Sequence, residues 1–200
     1  MTPIRDAKNT RQALLRAAFE ESYRHGFQAA SVSRILKNTK LTKGALFHYF
    51  PTKKALGYAV VDEVIAGMIR RQWVDPLASS NDPVHTILEE FEKAIALLAS
   101  QRLILGCPLN NLAQEMSPID AGFRKRTQTV FRMWITTFAA ALEKGKAMGK
   151  IRPSVNTAEA GLHLVSQIEG ILSLSKNAQD SRILYSGLRS VGKFLKTLQP

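Results

Sequence analysis

Apolar residues recur at helical spacing along the whole chain, and proline, glycine and capping residues cut the pattern into nine segments. Over 10–25, Leu14, Ala17, Ala18 and Tyr23 fall near one face, and Gly26 is placed to end the run. Ser31 can cap a short second helix, SVSRILKNT, with Val32, Ile35 and Leu36 inward. Thr42 can cap a third, which ends near Phe50-Pro51 because proline disfavours helix at the residue before it. Thr52 opens a fourth that runs until Asp75-Pro76, and Asp82-Pro83 supplies an N-cap and first-turn proline for a fifth, ending near residue 100. The stretch GCPLNNLAQEM predicts a short sixth. Ser117-Pro118, with Asp120 in the first turn, opens a long seventh. Its apolar stripe is Ile119, Phe123, Val130, Phe131, Trp134, Phe138 and Leu142, and it ends near Gly145–Gly149. Asn156 and Glu159 make a capping-box pattern for an eighth, to about residue 176. Ile183, Leu184, Leu188, Val191, Phe194 and Leu195 mark the ninth. No strand pattern, repeat or low-complexity tract interrupts this series, so the expected fold class is all-α.

One stretch breaks the amphipathic rule. In LTKGALFHYFPTKKAL, residues 41–56, Phe47, His48, Tyr49 and Phe50 follow one another without a gap. A core helix would space its aromatics and a strand would alternate them. Two short helices joined by a brief turn, 31–39 and 42–49, fit a helix-turn-helix. Leu46 and Phe50 are the expected inward anchors, which leaves Lys43, Gly44, Ala45, Phe47, His48 and Tyr49 for the outer face and its margins. Each suits a DNA groove. Lys43 can reach phosphate or a guanine edge, Ala45 can meet a thymine methyl, and His48 and Tyr49 can donate to phosphate. Gly44 lets the backbone approach the duplex, and Lys53 with the start of the next helix can grip another phosphate. A helical hairpin with plain aromatic packing is the alternative, and so many donors beside so little apolar surface count against it.

The charge distribution changes the picture further. The 200-residue chain carries a net charge of +12, and residues 1–56 hold 11 Lys/Arg against 3 Asp/Glu. A basic end of this kind implies a polyanion, either nucleic acid or an anionic membrane face. A membrane-surface helix would need a broad apolar face, whereas 42–49 offers small and hydrogen-bonding groups. The most apolar run, AIALLASQRLIL, is interrupted by Gln101 and Arg102, and MTPIRDAKNTRQ lacks the apolar centre of a signal peptide. A single cysteine excludes an internal disulfide and agrees with a reducing cytoplasm. A soluble, cytoplasmic protein is expected. Its four histidines, His25, His48, His85 and His163, include no i, i+4 pair for a metal, and Glu89, Glu90 and Glu92 read as a solvated helix face. No catalytic residue, metal site or cofactor is expected.

From Thr10 to Leu56 the chain closely resembles the DNA-binding domain of TetR-type (tetracycline-repressor-like) transcriptional regulators. The resemblance rests on the paired alanines of LLRAAFEESYRHGF, on SVSRI, and above all on TKGALFHYFPTKKAL. It implies a three-helix DNA-binding domain over 1–52, a larger helical domain over 53–200 for effector binding and dimerisation, and a homodimer on a palindromic operator. Carried over by position, 42–48 is the recognition helix. Lys43, Gly44, Ala45 and His48 face bases, Thr42, Phe47, Tyr49 and Lys53 face phosphate, and Ser33 faces DNA from the preceding helix. Two departures stand out. Phe47 replaces the family's usual tyrosine and removes a phosphate hydrogen bond. Lys40 replaces a usual glycine in the turn, so a left-handed backbone is expected there at some cost.

The last two helices are the expected dimer surface, through Leu162, Val165, Glu169 and Leu172 on one and Leu184, Leu188, Val191 and Leu195 on the other. Completion of a monomer core is the competing role for these stripes. For a small-molecule effector, the candidate wall residues are Met68, Trp73, Phe91, Leu98, Cys107, Phe123, Phe131 and Trp134, with Asn110, Asn111 and Gln167 as polar contacts. Some family members sense oxidants or electrophiles through cysteine. Cys107 has no second cysteine to pair with inside the chain, so a disulfide switch would join two chains or capture a small thiol, and a buried inert thiol is the other reading.

Overall fold

Capping side chains divide the chain much as the pattern predicts. The computed structural model describes residues 3–37 and 39–200, with side chains from Lys8 onward except Asn38. Among the described residues there are nine helices and no strand: α1 Pro3–His25, α2 Val32–Lys37, α3 Lys43–Tyr49, α4 over 53–79, α5 Pro83–Ala99, α6 Pro108–Met116, α7 Ala121–Ala147, α8 Thr157–Ala178 and α9 Ser181–Leu198. The hydroxyls of Thr42 and Thr52 accept the N–H groups of Ala45 and Ala55 at 3.1 and 3.0 Å, and Asp82 and Asn156 accept those of His85 and Glu159. Each such cap stabilises its helix by about 1 kcal/mol.

Four boundaries differ from expectation, each for a local reason. α1 starts at Pro3, where a missing N–H is harmless in a first turn. α2 covers Val32–Lys37; the expected extension reaches Asn38, outside the described residues, and Thr39 is not helical. α4 passes Pro76 and ends at Ser79, because two wider π-type turns, Val60–Ile65 and Arg70–Val74, reset the hydrogen-bond register before the proline. α7 starts only at Ala121, with Asp120 capping it by accepting the Phe123 N–H at 2.9 Å. Ile119 therefore leaves the stripe and is 61% exposed.

The chain packs as two compact units, one reaching up to Gly67 together with Pro108–Gln128, the other made of Met68–Cys107 and Thr129–Pro200. These limits fall inside α4 and α7. In the first unit Leu14, Ala18, Phe27, Leu46, Phe50, Leu56 and Phe123 are buried. Gly57 is required there, since a Cβ would lie 2.7 Å from the Phe123 ring and also strike Phe27. Its absence lets Phe27 and Phe123 meet at 4.7 Å. In the second unit α9 packs on α5 and α8, with Leu184, Val191 and Leu195 enclosed beside Ile87, Phe91, Ile95, Leu164 and Ile168.

Candidate nucleic-acid interface

The seven-residue α3 buries little of itself. Leu46 is fully buried, and the adjoining Phe50 is 3% exposed, so both expected anchors point inward. Leu14 of α1 and Ile35 and Leu36 of α2, the helices that pack on α3, are buried too, while the Arg11 guanidinium lies 5.1 Å over the Phe50 ring. Arg11 also forms a two-pronged pair with Glu63 on α4, at 2.6 and 2.5 Å, which holds the Glu63 carboxyl below its ordinary range. Sequence reading missed this brace; a lone arginine and a glutamate 52 positions apart give no local signal.

What remains of α3 faces out. Thr42, Lys43, Gly44 and His48 are exposed, Phe47 is 45% exposed, and Ala45 and Tyr49 are half-buried at the margin. Ser33 is exposed on α2. The rings of His48 and Tyr49 lie 5.1 Å apart, edge to face. A Cβ built on Gly44 would touch only the Thr42 hydroxyl, at an ordinary 3.7 Å. Among the described residues nothing demands glycine at 44.

The expectation for Lys40 changes here. Lys40 does not adopt a left-handed backbone; Gln179 is the non-glycine residue that does, among the described residues. Thr39 shapes the turn instead, with its N–H and hydroxyl donating to the Leu36 carbonyl and its hydroxyl accepting the Leu41 N–H at 3.2 Å. Lys53 is half-buried and reaches back to the α1–α2 turn. Its ammonium donates to the Gln28 carbonyl at 3.0 Å and lies 4.8 Å over Phe27, and partial burial lowers its pKa.

A second knot, also unread in the sequence, ties α4 to the start of α7. Asp120 accepts from the Tyr58 hydroxyl at 2.7 Å and pairs with Lys54 at 3.0 Å; Tyr58, the Phe123 N–H and Lys54 together hold its carboxyl well below the usual range. Arg126 stacks 4.1 Å over Tyr58 and bonds Asp62 at 2.9 Å.

The effector candidates separate. Trp73, Phe91 and Trp134 come together in the second unit, with Phe138 completing the aromatic cluster: Trp73 stacks on Trp134 at 5.5 Å and meets Phe138 edge-on at 5.1 Å. The Trp134 indole N–H is enclosed without an acceptor. Met68, Leu98, Phe131 and Gln167 are half-buried in that unit, and Gln167 donates to the Ser190 hydroxyl at 3.0 Å. Phe123 does not join them. It packs between Phe27 and Tyr58 in the first unit, where Asn110 and Asn111 also lie.

Most of the dimer candidates are enclosed in the monomer. Val165, Glu169, Leu172, Leu184, Val191 and Leu195 are buried within the single chain and Leu188 is half-buried, because the apolar stripes of α8 and α9 face each other and α5; only Leu162 stands clear, 53% exposed. Glu169 is 8% exposed, and its oxygens meet no N–H or O–H donor. Burial pushes its carboxyl up to about 7, against a smaller pull from the Cys107 thiol, which is enclosed beside it. The outward face of α8 carries Leu162, Ser166, Gly170 and Leu174 at four-residue spacing.

No described helix is long and apolar enough to cross a membrane. Residues 14–60 match the family described as bacterial regulatory proteins, tetR family, and residues 83–191 match the tetracyclin repressor-like C-terminal domain. The chain is 27% identical over 183 residues to an uncharacterized HTH-type transcriptional regulator of Lactococcus lactis, covering 92% of this chain and 91% of that one. It is 25% identical over 138 residues to the HTH-type transcriptional repressor NemR of Escherichia coli, covering 69% of each. The crystal structure of a TetR transcriptional regulator from Chloroflexus aurantiacus superposes with a TM-score of 0.84 at 26% identity, covering 98% of both chains. With a helix-turn-helix whose second helix turns its polar face outward, and with family matches over both halves, the chain belongs to the TetR family of DNA-binding transcriptional regulators, which are not enzymes.

Proposed function

We propose that the protein is a cytoplasmic repressor that binds a palindromic operator as a homodimer and is released by a small-molecule effector. Residues 1–52 act as the DNA-binding domain and 53–200 as the effector-binding and dimerisation domain. The observation that carries the reading is the outer face of α3, where Lys43, Phe47 and His48 stand exposed around a glycine that the chain itself does not need. Thr42, Lys43 and Tyr49 hold phosphates or a guanine edge, Gly44 and Ala45 admit the backbone to the base edges, and Ser33 supports them from α2. The name of the NemR relative, a repressor, favours repression over activation.

Two copies pair through the outward stripe Leu162, Ser166, Gly170 and Leu174 of α8, with exposed Tyr185 of α9 beside it. A Cβ at Gly170 would meet nothing within 4 Å, so another helix can approach closely there. The pair presents two α3 helices roughly 34–36 Å apart, one turn of duplex. An apolar or aromatic effector would enter by parting the Trp73, Phe91 and Trp134 cluster, where the unpaired indole N–H offers a donor. Since α4 carries both Lys53, which follows α3 in the chain, and Trp73 of that cluster, an effector can act on DNA affinity through it; a coupling of about 1–3 kcal/mol changes affinity roughly 5–150-fold.

Selection of bound duplexes from a random pool tests the reading. A two-fold symmetric consensus is expected. Absence of enrichment overturns DNA recognition, and an asymmetric single half-site overturns the dimer.

A further inference from the structure

We infer that Glu115, on α6, is a positioning residue for DNA binding: its carboxylate holds the α1–α2 turn in the form that sets α3 against the duplex. Gly26 ends α1 with φ +85°, a left-handed conformation suited to glycine, and this aims the next two amides at one point. Glu115 Oε2 accepts the Phe27 N–H at 2.8 Å and Oε1 accepts the Gln28 N–H at 2.7 Å. Successive amides of this kind form an anion-binding nest, and here the chain fills it with its own carboxylate. The fit is close, since a Cβ at Gly26 would stand 3.2 Å from Oε1.

Lys53 completes the grip from the other side. Its ammonium takes the Gln28 carbonyl at 3.0 Å, so that residue is held by N–H and C=O together, while Lys53 and Glu115 attract each other. Stabilisation of α1 does not explain the arrangement, because a carboxylate near a helix C-terminus opposes the helix dipole. What the grip does fix is the corner between α1 and α2. Both pack on α3, so the angle of that corner sets the angle of the recognition helix. A loosened corner would have to be ordered again on each binding event, and the cost would be read in DNA affinity rather than in the contacts α3 makes.

The inference rests on the DNA-binding reading, and the test separates the two. Full-length Glu115→Gln and Glu115→Ala are compared with the natural chain on the consensus duplex from the selection above. Amide exchange at Phe27 and Gln28 and urea unfolding are followed in parallel. Both substitutions remove the same charge, so any electrostatic gain in DNA affinity is common to them. Glutamine keeps one acceptor, and alanine keeps none. Affinity is expected to fall about threefold with glutamine and about tenfold with alanine, in step with faster exchange at the two amides and with the salt dependence unchanged. Equal affinities for the two variants, an affinity at or above the natural chain's, or a loss that merely follows the unfolded fraction would overturn it. A natural chain that binds no duplex sinks the DNA-binding reading itself.

Discussion

Helices α3 and α8 put their side chains to opposite uses. α3 is short and gives the interior one fully buried side chain, Leu46, so nearly all its remaining chemistry faces out. α8 is 22 residues long and gives Leu164, Val165, Ile168, Glu169, Ile171 and Leu172 to its own chain. Leu162, Ser166, Gly170 and Leu174 form one line on its exposed surface. A strong apolar stripe therefore marks the monomer core first, and a partner surface must be sought among the residues left over. Each helix also carries an exposed glycine, Gly44 or Gly170, that its own chain has room to replace.

The contrast breaks most visibly at neighbouring positions of α3. Leu46→Ala is expected to cost about 2–5 kcal/mol of folding stability, read by urea unfolding, whereas Phe47→Ala stays within about 0.5 kcal/mol yet weakens duplex binding. Comparable losses at both positions would mean that α3 is a packing element.

On α8 the buried Glu169 gives the next largest effect. Its folded pKa, about 7, lies above the ordinary 4.5. The carboxyl therefore contributes stability that is full below the unfolded value and is lost as pH rises through the folded one. Relative to Glu169→Gln, the natural chain should lose about 3 kcal/mol between pH 4.5 and pH 8, measured by urea unfolding across that range. A difference that does not vary with pH would place Glu169 in water or on a partner.

Gly170→Arg sharpens the same comparison from outside. The new side chain has open space in the monomer, so folding should be unaffected, while sedimentation should show dimer dissociation at least about tenfold easier, roughly 1.4 kcal/mol. Unchanged self-association would remove this face of α8 from the interface. The smallest effect belongs to Lys43→Ala, expected to cost about 1 kcal/mol of duplex affinity. A phosphate contact would lower the salt slope by about 1, and a base contact would instead relax sequence preference.

Much of this was legible because local rules governed it. Thr42, Thr52, Asp82 and Asn156 cap where their residue types predicted, and the crowding of aromatics at 47–50 announced a surface helix. The inward faces of α8 and α9 were legible too, but periodicity cannot say whether a buried stripe meets its own chain or a copy. Glu115, Arg11 and Asp120 were out of reach for another reason. Each acts through a partner far along the chain: Glu115 lies 88 positions from Phe27, Arg11 lies 52 from Glu63, and Tyr58 lies 62 from Asp120. The expected strain at Lys40 failed because Thr39 supplies hydrogen bonds that the pattern of residue types does not display.

The most direct measurement is chemical protection of guanine N7, an atom that lies in the major groove, on the selected duplex. With α3 in that groove and a twin copy beside it, two protected patches should stand about 10 base pairs apart, each matching one half of the consensus. Guanines that stay fully reactive at N7 while the protein is bound would contradict the account.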